Sequence, residues 1–132
     1  MNKKISRILL QMTGLLVIAF LLSTNIVAAQ EGTNWVQLSP GGTVPEIRYW
    51  HGGAYDANSN RMIIFGGGSN GHGNLNDVWV LTHANGLGET PEWINTIPNG
   101  QPGSPPSRNR PGTTYDPVSN RLILFGGCEG GC

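Results

Sequence analysis

Charge is what this sequence has least of. Only 12% of its 132 residues are charged, which excludes a long charged helix, a coiled coil and a highly charged disordered tail. No lysine follows Lys4, and from residue 30 onward five arginines stand against eight acidic residues, a net charge of −3. A slightly acidic body with no basic cluster argues against nucleic acid as a partner. Cysteine is nearly absent too: Cys128 and Cys132, at the very end, supply at most half of a zinc site. His51, His72 and His83 are scattered, with no close pair at ligand spacing, so no metal is expected. What is abundant is glycine and proline, 20 and 9 residues. That composition suits many short strands joined by turns, within the single small domain that this length allows.

The one long apolar run lies at the start. Lys3, Lys4 and Arg7 precede an apolar stretch over residues 8–22, a polar Ser23-Thr24-Asn25 step and the small residues Val27, Ala28 and Ala29. This is the tripartite form of a secretory signal peptide, residues 1–29, with cleavage expected after Ala29. An uncleaved membrane anchor is the alternative, since residues 8–29 are long enough to span about 30 Å of bilayer. Either way the body, residues 30–132, is expected outside the cytoplasm: secreted, periplasmic or at the cell surface.

The body repeats itself. Residues 52–68 read GGAYDANSNRMIIFGGG and residues 112–128 read GTTYDPVSNRLILFGGC. Gly52, Tyr55, Asp56, Ser59, Asn60, Arg61, Ile63, Phe65, Gly66 and Gly67 each recur 60 residues later, and upstream Pro45 and Arg48 match Pro105 and Arg108. An aromatic precedes each copy, Trp35 and Trp93. Such periodicity marks a repeat architecture. Within one unit, Gly53, Ala54 and Tyr55 form a short strand ending at Asp56, and residues 56–60 carry the Asp/Asn chemistry of a turn. Arg61, Met62, Ile63, Ile64 and Phe65 read as a strand covered on both faces, and Gly66, Gly67 and Gly68 are expected to break it. Residues 77–81 and 92–97 supply two further strands. The unit is a four-stranded antiparallel meander.

Four strands per unit and a period slightly over about 50 residues suit a β-propeller. The double glycine closing an apolar strand, Asn76-Asp77-Val78-Trp79 and the spaced Trp93 resemble the kelch-repeat family, in particular exported bacterial kelch proteins. The resemblance covers almost everything after residue 34 and implies an all-β fold. It divides the body into a last strand of a preceding blade (34–42), a complete blade (45–97) and the first half of the next (105–132). Propellers use about four to eight blades, so the chain reads as a fragment of a longer protein, with a ring assembled from several chains as the alternative.

The polar residues of the repeat look like a site but recur at one register, whereas a unique active site is not built twice. Tyr55, Asp56, Arg61, Gly66, Gly67 and the second-copy Tyr115, Asp116, Arg121, Gly126 and Gly127 are therefore read as the structural kelch motif, to which the resemblance adds Asp77, Trp79 and Trp93. In that reading the tyrosines pack between blades and Asp–Arg pairs fasten hairpins. Arg48 and Arg108 are the residues of this set with some prospect of facing a ligand. In an exported chain Cys128 and Cys132 can form a disulfide, with each other across Glu129-Gly130-Gly131 or with cysteines elsewhere. No cofactor is expected: the glycines at 66–68 lack the context of a phosphate loop. Catalytic groups of the familiar kinds are also missing, so the expected function is a binding or scaffold module for a protein or glycan. The alternative is the first part of a kelch enzyme acting on sugars, resembling the copper radical oxidases or the sialic-acid epimerase of the family. The oxidases need a tyrosine crosslinked to a cysteine and two histidine ligands, a set that nothing here matches residue by residue.

Overall fold

The computed structural model describes residues 35–130. Met1–Val36 and Gln37–Cys132 are separate units. Of the first, only Trp35 and Val36 are described, so the expected signal segment at residues 1–29 lies outside the described residues, as does Cys132. The described residues are all-β, with seven strands and no helix.

β2 (Gly52–Asp56), β3 (Arg61–Ser69), β4 (Gly73–Thr82) and β5 (Glu92–Ile97) form an antiparallel meander, joined in sequence order. The β2–β3 turn is tight because Asp56 Oδ1 accepts from the amides of Asn58 and Ser59, at 3.1 and 3.4 Å. Asn60 then takes a left-handed φ of 48°, a conformation that Asn tolerates better than most residues. The core sits on the two central strands. Ile63, Ile64 and Phe65 are all buried, so β3 is covered on both faces, while β4 alternates, burying Leu75, Asp77, Trp79 and Leu81.

The glycine triplet does not break β3. The strand bulges between Phe65 and Gly67, then resumes pairing with β4 through Gly67–Leu75, Gly68–Asn74 and Ser69–Gly73. Gly66 and Gly67 have φ of 57° and 94°, which turns the strand without ending it. In the second copy, β6 (Gly112–Asp116) and β7 (Arg121–Phe125) reproduce the β2–β3 register pair for pair. There β7 stops at Phe125: no equivalent of β4 pairs with it among the described residues. Partner pairing, rather than glycine content, decides where this strand ends.

The segment expected as the last strand of a preceding blade behaves differently. It contributes only β1 (Gly41–Gly42), which lies parallel to β5 on the outer edge of the same sheet, opposite Glu92 and Trp93. The absence of side chains permits the approach, since a Cβ on Gly42 would stand 2.5 Å from the carbonyl oxygen of Trp93.

The second copy joins the first along β2 and β6. Thr113 Oγ1 accepts from Gly53 N at 2.9 Å and donates to Gly53 O at 2.8 Å. A Cβ on Gly52 would collide with the Thr113 methyl, so glycine at 52 is a condition of the joint. The connection through residues 105–110 runs along the bulge: Gly67 N donates to Arg108 O, Arg108 N to Leu75 O and Arg110 N to Trp50 O, at 2.7–3.0 Å.

Candidate functional site

Each sheet has two ends with different chemistry. At one end lie the β2–β3 and β6–β7 turns, and here most of the repeated polar residues meet. Arg61 Nε donates to Asp56 Oδ2 at 2.9 Å, closing its own hairpin. Its Nη2 crosses to the second copy, donating to Tyr115 Oη at 2.8 Å and to Asn120 Oδ1. Burial pushes the Asp56 carboxyl up, but hydrogen bonds from Ser59, Arg61 and Tyr115 outweigh it and hold its pKa below the ordinary carboxylate value. Tyr55 is half exposed and bonds to Asn60 Oδ1 at 3.0 Å. The second copy is looser. Asp116 is bonded by Ser119 Oγ and the Val118 amide, which lower its pKa, and Arg121 forms no ion pair among the described residues.

Toward the other end, Arg48 is clamped. Its Nη1 and Nη2 donate to Asp77 Oδ1 and Oδ2 at 2.7 and 2.9 Å, and Nη1 also donates to Gly66 O at 3.0 Å. Trp79 Nε1 donates to the same Asp77 carboxylate at 2.7 Å. The Arg48 and Asp77 side chains are only 5% and 6% exposed, so this arginine does not reach solvent or a channel. Arg108 repeats its register 60 residues on, donating to Pro106 O and Gly126 O where Arg48 donates to Glu46 O and Gly66 O. Glu129 Oε1, 3.2 Å from Nη2, is its acidic partner. Trp93 is half-buried on β5 opposite Leu81. Gly126 and Gly127 carry φ of 67° and 84°, matching Gly66 and Gly67.

These two networks are what a repeat unit uses to hold itself together. The same bridge even recurs as Tyr49–Gly68 and Asn109–Cys128. A scan against family models matches residues 21–132 to the KLHDC2/KLHL20/DRC7 kelch-repeats domain. The chain belongs to this kelch-repeat family. It is also similar to dynein regulatory complex subunit 7 of Chlamydomonas reinhardtii, 29% identical over 86 residues, which is 65% of this chain and 7% of that protein. The chain thus matches a small part of that relative's length.

The meander β2–β5 is therefore a kelch blade, with β6 and β7 the start of the next. At the end opposite the β2–β3 and β6–β7 turns, the blades leave a cleft of about 500 Å³. Tyr49 and Trp50 enter it from the chain before β2, His72 and Asn74 from the β3–β4 hairpin, and Asn109 and Glu129 from the second copy. Arg110 stacks its guanidinium 3.7 Å from the centre of the Trp50 ring, and Tyr49 meets that ring edge-on at 4.9 Å. His72 Nδ1 lies 3.0 Å from Glu46 Oε2. His83 is paired elsewhere, with Glu89 at 3.3 Å. Of the cleft residues, the sequence pattern singles out only His72, one of three scattered histidines. Trp50 and Arg110 escaped it because they are not identical, although both hold a left-handed φ, 54° and 53°. Cys128 is disulfide-bonded, and its carbonyl accepts from Asn74 Nδ2 at 3.2 Å beside the cleft.

Proposed function

We propose that this chain is part of an exported kelch propeller that binds a protein or glycan ligand through its loop end and performs no chemistry on it. The observation that carries the reading is where the polar side chains of the repeat unit point. Arg48, Asp56, Arg61, Asp77 and Tyr115 direct their hydrogen bonds into the blade or across to its neighbour, which supports a scaffold rather than a reacting centre. Kelch membership supports an interaction module, since propeller loops are mounted on a rigid frame. A disulfide at Cys128 supports an oxidising compartment, in keeping with the signal-like order of residues 1–29. It also leaves that sulfur unable to crosslink a tyrosine, as a copper radical oxidase would require. Metal analysis of the full-length protein purified from the extracytoplasmic fraction tests the reading. No stoichiometric metal is expected; one copper per chain would overturn the non-catalytic function.

A further inference from the structure

The joints of the scaffold repeat every 60 residues, but the cleft does not. Tyr49, Trp50, Ser107 and Glu129 stand where the other copy has Asn109, Arg110, Ile47 and Ser69. Residues freed from the repeat are where a unique binding site can be built. Asn109 is the second observation. It is 6% exposed, and its Nδ2 donates to Asn74 Oδ1 at 3.0 Å. Asn74 in turn donates its own Nδ2 to Cys128 O, which fixes both amides in one orientation. The Asn109 Oδ1 is left buried without a hydrogen-bond partner. A buried acceptor without a partner is unfavourable, so a donor from a water or a ligand is favoured there.

We propose that this cleft binds a neutral oligosaccharide, a deepening that rests on the binding-module reading above. The lining matches that chemistry on three counts. Asn109 Oδ1 has almost no surface of its own, so a sugar hydroxyl reaches it through one relayed water. Tyr49 and Trp50, 44% and 52% exposed, offer aromatic surface to the apolar C–H face of a pyranose, Trp50 through the ring surface that the stacked Arg110 leaves uncovered. The formal charges at the rim balance, Glu46 and Glu129 against Arg108 and Arg110, which disfavours a strongly acidic or basic ligand. A cleft of about 500 Å³ is within the usual range for small-ligand sites.

The full-length protein is titrated with an array of neutral glycans and with acidic and basic polymers. The expected result is binding of at least one neutral glycan, little changed between about 0.05 and 0.5 M salt because no net charge is neutralised. Trp50→Ala weakens it about tenfold or more while the melting midpoint stays near that of the parent, and Asn109→Ala does so as well where it folds. No response to any neutral glycan overturns the proposal, as does binding unchanged by Trp50→Ala, or binding confined to a charged polymer and abolished by salt. A protein partner captured in the absence of glycan binding sinks this inference alone. One copper per chain sinks the binding-module reading beneath it.

Discussion

Asp77→Asn is the substitution that most directly tests what holds the blade together. The Asp77 carboxylate accepts from both Nη atoms of Arg48 and from Trp79 Nε1, with both charged side chains almost out of solvent. Asparagine keeps the shape and one oxygen, but its NH₂ group then faces a guanidinium or indole donor, and the arginine charge stays buried without compensation. Removing one partner of a buried pair costs about 3–5 kcal/mol. Retention of one acceptor returns about 1 kcal/mol of that, so about 2–4 kcal/mol should be lost. Little discount for solvent screening applies at this exposure. Urea unfolding of the full-length protein, followed by tryptophan fluorescence, reads the loss. Arg48→Met should be similarly costly, and the double variant should cost clearly less than the sum, because each single change strands the other group. A stability for Asp77→Asn within about 0.5 kcal/mol of the parent, or strict additivity in the cycle, would refute the reasoning.

The sequence showed the scaffold well and the cleft poorly, for one physical reason. Features that serve the blade recur, so an offset of 60 exposes Asp56, Arg61, Gly66 and Gly67 without any structure. Strand content follows from the apolar run at 61–65 and the turn residues around it. What recurrence cannot carry is the partner of a side chain. Arg48 and Arg108 looked alike and open to a ligand, but Arg48 is closed off by Asp77, a residue 29 positions away on another strand. The bulge at Gly66 likewise depends on β4 being there to pair beyond it; with no such partner, Gly126 follows the end of β7. Trp35 resembled Trp93 in its local pattern, yet the strand it announced is reduced to Gly41–Gly42 on a different edge. Sites made of unlike residues at like positions, such as Trp50 and Arg110, leave no mark in a self-comparison.

Gly67→Val should destabilise by several kcal/mol and Gly71→Ala by well under about 1, measured as urea midpoints in the full-length protein. At Gly67 a Cβ would sit 2.7 Å from Tyr49 O with φ at +94°, against an ordinary 3.9 Å contact at Gly71; equal midpoints would remove the argument. Because the folded-state pKa of Asp56 is lowered, its contribution to stability is present above the unfolded value of about 4 and is lost as pH falls through the folded one. Acid titration of the unfolding midpoint should therefore show a fall below about pH 4 that Asp56→Asn flattens, and an unchanged profile would count against the hairpin clamp. Mass spectrometry of the exported protein should find Gln30 at the N-terminus; an intact Met1 would favour an anchor instead. Residues 30–132 produced alone should not behave as a stable monomer. Phe65 is fully buried whereas its counterpart Phe125 is 85% exposed, and Ile123 is 49% exposed beside it on β7. Leaving Phe125 uncovered forgoes about 2–3 kcal/mol of apolar burial, a large share of a small domain's stability. The same strand offers an unpaired backbone edge that another chain can extend. Sedimentation should thus show association or aggregation, and a monomer with a sharp two-state transition would mean that β7 is stable uncovered.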